Sequence, residues 1–231
     1  MKCKESVAKN LLQRYLCTMT DQPTSTPGTR DLDIESLKAL SHPLRVRLFN
    51  ELSIHGAATA SKLADRVGES SGSTSYHLRQ LERHGFVREV EGRGTARERW
   101  WERVPGSINL SPPKTTATPS GREATILVSR EFARLKAQTL ETFVERGLDT
   151  LPRPWYDAST VSQSSLQLTL EQLTELSEAA ETFVSEYIDR FRGQDLPESR
   201  AVQVQLNIIP VIDIPVTDIP VIDIPHIDIE R

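Results

Sequence analysis

Ser70 to His84 reads Ser-Ser-Gly-Ser-Thr-Ser-Tyr-His-Leu-Arg-Gln-Leu-Glu-Arg-His, a run of small hydroxyl side chains ahead of Arg79 and Arg83. Small residues let a helix approach another molecule closely. Hydroxyls there can serve bases or phosphates, and a helix N-terminus itself favours a phosphate. With Leu78 and Leu81 inward, Ser71, Ser73, Tyr76 and Arg79 project away from the buried stripe and form the expected reading face. Thr74, one turn before Leu78, is expected to face inward. A second basic group, Arg93, Arg97 and Arg99, lies at and beyond Glu91-Gly92-Arg93-Gly94, where a hairpin could meet adjacent phosphates or a narrow minor groove. A capped surface helix and a solvated hairpin tip are the plainer readings of each feature alone. Side by side they favour binding of double-stranded DNA.

Other chemistries find less support. No Gly-rich phosphate loop, metal-hydrolase motif or nucleophile elbow is present, so no catalytic residue is assigned and an enzyme is not expected. Cys3 and Cys17 are the only cysteines and stand upstream of the expected folded part, which argues against a disulfide framework and for a reducing compartment. His42, His55, His77 and His84 are scattered along the expected domain and have no cysteine beside them, so neither a metal nor a cofactor is expected. No apolar run approaches the roughly 18 residues of a bilayer span. Lys9, Gln13 and Arg14 interrupt the apolar residues near the start, so a secretory signal is not expected and the cytoplasm is the default location.

The candidate side chains need a scaffold. Leu37, Leu40, Leu44, Leu48 and Leu52 recur three or four apart, with Val46 and Phe49 widening the stripe. This predicts two helices, with Pro43 in the first turn of the second and Gly56 at its end. Thr59 is placed to cap a helix over Ala60–Val67 that buries Leu63, Ala64 and Val67 and closes at Gly68. The next helix runs from about Gly72 to His84, capped by Ser70 or Ser71 and ended by Gly85. Two short helices joined by a tight Gly-containing turn are the helix-turn-helix signature. Phe86–Val90 reads as a strand, Glu91–Gly94 as a turn and Arg97–Val104 as the returning strand of a wing. Trp100 and Trp101 alternate across it, so one should seal the core and the other face solvent or a partner. The expected DNA-binding domain is 37–104.

With 231 residues the chain has room for a second unit of ordinary size. Residues 1–36 read as a disordered leader in which Met19 is a candidate true start. Residues 105–121, containing Ser111-Pro-Pro-Lys-Thr-Thr-Ala-Thr-Pro-Ser-Gly121, read as a linker and domain boundary. Residues 122–209 form an expected helical dimerisation or effector region. It comprises a helix from Arg122 to Arg146 stopped by Gly147, a loop with Pro152, Pro154 and Trp155, and a helix from Thr169 to Gly193 opened by a capping box with Gln172. Ala201–Ile209 alternates apolar with polar, as a half-exposed strand does. The tail, 210–231, repeats Ile-Pro-Val-Ile-Asp with variations; a five-residue period cannot hold one face of a strand, so it is expected to be disordered. The fold class is therefore mainly α with a small β wing: a winged helix-turn-helix domain plus a C-terminal helical region with a short strand.

Charge is divided along the same line. Residues 37–104 hold 12 Lys and Arg against 8 Asp and Glu, a net of +4, whereas 122–231 hold 10 against 19, a net of -9. A basic module on an acidic one suits a protein whose first part meets phosphate.

Leu37-Lys-Ala-Leu-Ser-His-Pro-Leu-Arg-Val-Arg-Leu, then Ser-Tyr-His-Leu-Arg-Gln-Leu-Glu-Arg-His-Gly-Phe-Val, then Gly-Arg-Gly ahead of Arg-Trp-Trp, resemble the ArsR-type winged-helix regulators of bacteria over about a third of the chain. The resemblance implies a homodimer on palindromic double-stranded DNA, often a repressor released by a ligand. It places Arg45 and Arg47 near the DNA backbone and Ser71 to Arg79 on the recognition helix. Ala60–Val67 lacks the cysteines with which many such proteins sense metals, so metal sensing is not implied. The long C-terminal extension resembles larger regulators of this class in actinobacteria and leaves room for an unidentified small-molecule effector. The competing reading is a winged helix that binds proteins and no operator.

Overall fold

The computed structural model describes residues 29–95, 98–191, 194 and 196–212. Of the expected disordered leader 1–36, residues 1–28 with Met19 lie outside the described residues, as do Arg97 and the expected tail from residue 213. Residues 29–36 are instead ordered: 29–31 pairs with 107–109, Leu32 is buried, and a helix begins at Ile34. The chain divides after Thr150 into two units, Met1–Thr150 and Leu151–Arg231.

Local capping sets the helices of the first unit. Asp33 opens α1 (Ile34–Leu40): its carboxylate accepts the Ser36 backbone N–H at 2.8 Å, and that bond, ahead of the nearby Arg30 charge, holds its pKa below the usual range. Pro43 occupies the first turn of α2 (Pro43–His55), where His42 caps with Nδ1 accepting the Leu44 N–H at 3.2 Å. Leu37, Leu40, Leu44, Leu48 and Leu52 are all buried, with Val46 and Phe49 beside them. Helix α3 (Ala60–Val67) is capped by Thr59 and ends at a left-handed Gly68. Helix α4 (Ser71–Arg83) follows at once, and Ser70 is its cap, Oγ accepting the Ser73 N–H at 3.1 Å.

Strands β1 (Thr29–Asp31), β2 (Ala58–Thr59), β3 (Val87–Thr95), β4 (Glu98–Arg103) and β5 (Ser107–Asn109) form two sheets: β2-β4-β3, antiparallel, and β1-β5, parallel. The first carries the wing. Its tip is not the expected turn at Glu91–Gly94, because pairing resumes at Gly94 with Arg99 and Thr95 with Glu98. Between the Glu89–Trp101 and Gly94–Arg99 pairs, Val90 to Arg93 stand opposite Trp100 alone. The glycine-rich stretch is thus an enlarged bulge, with Gly92 at φ 71°, a region glycine enters without a Cβ clash. Trp101 is the tryptophan that seals the core, together with Phe86 and Val87, whereas Trp100 is half-buried.

The stretch expected as a linker, 105–121, is built into the first unit instead. β5 pairs with β1, Leu32 N–H donates to Asn109 C=O at 3.1 Å, and the buried Thr115 Oγ1 donates to Leu32 C=O at 2.9 Å from the short α5 (Pro113–Thr116). Hydroxyl-rich composition reads as solvated chain, but here Thr115, Thr116 and Thr118 bond main-chain carbonyls, and Thr115 is buried. Helix α6 (Pro119–Thr150) then seats Ala124 and Val128 in the same core, and Phe132 meets Phe49 edge-on at 6.2 Å between ring centres. Gly121 sits where any Cβ would overlap the Thr115 carbonyl oxygen, which is why the first turn can approach α5. Gly147 does not stop α6, which continues to Thr150; an isolated helical glycine costs only about 1 kcal/mol.

In the second unit the expected loop forms a short helix, α7 (Arg153–Asp157), after Pro152. Helix α8 (Leu170–Phe191) opens with the expected reciprocal cap: Gln172 N–H donates to Thr169 Oγ1 at 3.3 Å, and Thr169 N–H to Gln172 Oε1 at 3.0 Å. No residue of α8 is fully buried. Ala201–Ile209 forms no strand: its alternating pattern has no edge to pair with among the described residues.

Candidate nucleic-acid interface

Helix α4 turns Thr74, His77, Leu78 and Leu81 into the core, so sequence position alone decides what remains outside. Ser71, Gly72, Tyr76, Arg79 and Arg83 are exposed, Tyr76 at 54%, while Ser73 is half-buried on the flank. Gly72, Tyr76, Arg79 and Arg83 follow one another three or four apart and form a single outer row. Thr74 faces inward with no exposure, as its spacing predicts. Sequence reasoning named Arg83 but left it out of the reading face; its four-residue spacing from Arg79 was the available signal.

Beneath this row the His77 ring lies 4.4 Å from that of His42 and 5.1 Å from that of Tyr76. Burial, followed by the neighbouring His42 and Arg45, keeps the His77 pKa below the ordinary histidine range, with Glu69 opposing. His77 is therefore a packing residue that supports α4 from inside.

Arg45 and Arg47 are directed into the fold. Arg45 Nε donates to the Ala39 carbonyl, and its Nη2 to Lys38 C=O at 3.2 Å, at the C-terminus of α1. Arg47 Nη2 donates to Val67 C=O at 2.7 Å, at the C-terminus of α3. The last carbonyls of a helix lack intrahelical partners and carry partial negative charge, so guanidinium groups satisfy them well. Burial lowers the Arg45 pKa from its ordinary value. Spacing could not reveal these carbonyl partners, which lie on neighbouring helices.

On the wing the arginines differ. Arg99 pairs with Glu89 at 3.3 Å and Arg88 with Glu102 at 2.6 Å. Arg93 instead lies over the Trp100 ring, with Cζ 3.8 Å from its centre, and Lys62 of α3 places Nζ 4.9 Å from the same centre. An open cleft between Glu82 of α4 and the bulge is lined by Arg88, Glu89, Glu91, Gly92 and Arg93. Its mixed charges leave the outer row of α4 as the more uniformly phosphate-compatible surface. Among the described residues no three His, Cys, Asp or Glu converge as a metal site would require, and no helix is long and apolar enough to cross a membrane.

Residues 40–90 match a family model described as a helix-turn-helix domain. No curated protein matches the chain. Among solved structures, the YusO protein from Bacillus subtilis is similar at 12% identity and TM-score 0.27, covering 80% of this chain and 99% of its own. The PcaV transcriptional regulator from Streptomyces coelicolor, solved with its natural ligand, is similar at 12% identity and TM-score 0.27, covering 80% and 94%. MarR from E. coli, in its apo form, is similar at 11% identity and TM-score 0.26, covering 65% and 88%. These likenesses are too slight to carry a ligand, an operator or an assembly across to this chain.

Proposed function

We propose that the winged helix-turn-helix domain binds double-stranded DNA, with α4 in the major groove and the wing on the flanking backbone. The whole chain then works as a dimeric transcriptional regulator in the cytoplasm, a repressor of the ArsR-like kind that its motifs resemble. The observation that carries this reading is the outer row of α4, where Arg79 and Arg83 are exposed and neither is paired with a carboxylate among the described residues. In this reading Tyr76, Arg79 and Arg83 meet base edges and phosphates, and Ser71 and Ser73 offer hydroxyls at the helix N-terminus. Arg93, Arg97 and Arg99 serve the wing, and Arg45 and Arg47 brace the helices that hold α4. The net +4 of residues 37–104 favours the same partner.

Dimerisation would use apolar surface that one chain leaves open: Leu140, Val144 and Leu148 on α6, and Phe183, Tyr187 and Phe191 on α8. An effector, if the protein has one, would act through these helices. Titrating labelled duplexes from the protein's own promoter region at rising salt tests the DNA reading. Binding should weaken steeply with salt, and Arg79→Ala should cost about 1–3 kcal/mol of affinity. No shift with any genomic fragment at low salt would overturn it. The aromatic row of α8, set among Glu175, Glu178, Glu181, Glu186 and Asp189, favours the second reading, a protein-binding module without operator binding. Its mark would be stable capture of a protein partner by a chain that has no affinity for duplex DNA.

A further inference from the structure

We propose that Trp100 is a stacking platform that gathers Lys62 and Arg93 into one binding subsite for the DNA backbone phosphate, joining the first turn of α3 to the wing. This rests on the DNA-binding reading and adds to it a site that links two elements.

Trp101 already supplies the indole that the core needs, so Trp100 is a large aromatic left half-buried on the other face of β4. Two cations from separate elements lie over it, Arg93 at 3.8 Å and Lys62 at 4.9 Å from the ring centre, both within the roughly 6 Å at which an aromatic face attracts a cation. The two charges can be no farther apart than the sum of these distances. The backbone is shaped for this arrangement. Val90 to Arg93 bulge opposite Trp100 alone, through a left-handed Gly92, and that bulge carries Arg93 over the ring.

An aromatic face attracts a cation without neutralising it. Arg88 and Arg99 on the same hairpin are matched with Glu102 and Glu89, whereas neither Arg93 nor Lys62 has a carboxylate partner among the described residues. Two like charges held together without a counter-ion suit an anion that arrives from outside. A guanidinium held by a ring still has N–H donors to offer two phosphate oxygens, and an ammonium adds a compact point charge. Phosphate is the anion available beside a helix lying in the major groove.

The test is the salt dependence of duplex binding, because the slope of log K against log salt counts neutralised phosphates at about 0.9 each. The Lys62→Ala/Arg93→Ala double variant should make the slope shallower by about 0.9, the one phosphate that the subsite neutralises, and Trp100→Ala should match it. Trp100→Phe, which keeps an aromatic face, should restore most of the wild-type slope. A folded Trp100→Ala with the wild-type slope would overturn the proposal. Should Trp100→Ala fail to fold, the surface double variant decides, and an unchanged slope there overturns it too. A wild-type chain that binds no duplex is a different result: it removes the DNA reading itself, and this subsite with it.

Discussion

Arg45 and Arg47 aim their guanidinium groups at the last carbonyls of α1 and α3, so their loss should be felt in stability before DNA affinity. Arg45→Ala removes the guanidinium donor from the Ala39 carbonyl, while Lys38 C=O keeps its bonds from Ser41, and should lower unfolding free energy by about 1–3 kcal/mol in a urea titration. The exposed Arg79→Ala should leave stability within about 0.5 kcal/mol while weakening DNA binding. An Arg45→Ala chain as stable as wild type but poor in DNA affinity would return Arg45 to the interface. His77 gives acid sensitivity of a definite sign. Its folded pKa lies below the ordinary 6.5, so between those two values the unfolded chain holds more protons. Its stabilising contribution is whole above pH 6.5 and is lost as the pH falls from there through the lowered value. His77→Leu should therefore flatten the stability profile on the acid side of neutrality, and an unchanged profile would assign the sensitivity to another group.

Elements that follow local rules were legible from sequence. Thr59, Ser70 and the Thr169–Gln172 pair cap the helices their spacing predicts, because a cap needs only atoms three residues away. The segment 105–121 was not legible. Its threonines and prolines have the composition of a linker, and its ordered partners, Leu32 and β1, lie far off in the chain. Gly121→Ala tests this element directly. The new methyl group would meet main-chain oxygen, which cannot swing aside, so the variant should lose about 1–3 kcal/mol and melt earlier in calorimetry. A wild-type melting temperature would mean that α6 does not lie against α5 as closely as described.

For the whole molecule the useful division is after Thr150. A chain cut there keeps Ala124, Val128 and Phe132 in the winged-helix core and should unfold in one cooperative transition. A chain cut after Gly121 loses all three and should be less stable by about 3 kcal/mol or more. Equal stability of the two truncations would contradict the docking of α6. Sedimentation of the full chain beside the Thr150 truncation separates dimerisation from folding: dimer loss with an intact melting transition is expected if α8 and its open aromatic row complete the pairing surface.

The sequence by itself determined the helices of the winged helix-turn-helix domain, their caps, the leucine stripe that closes the core and the face of α4 left outside. Each depends on a short period or on neighbours within a turn. Tertiary structure alone decided which tryptophan is buried, which arginines stay free, and that a hydroxyl-rich stretch belongs to the fold. Those outcomes turn on the partners that folding brings together: a helix-end carbonyl for Arg47, a glutamate across the hairpin for Arg99, and an indole for Arg93. A side chain's charge is written in its type, but its availability depends on what stands opposite it.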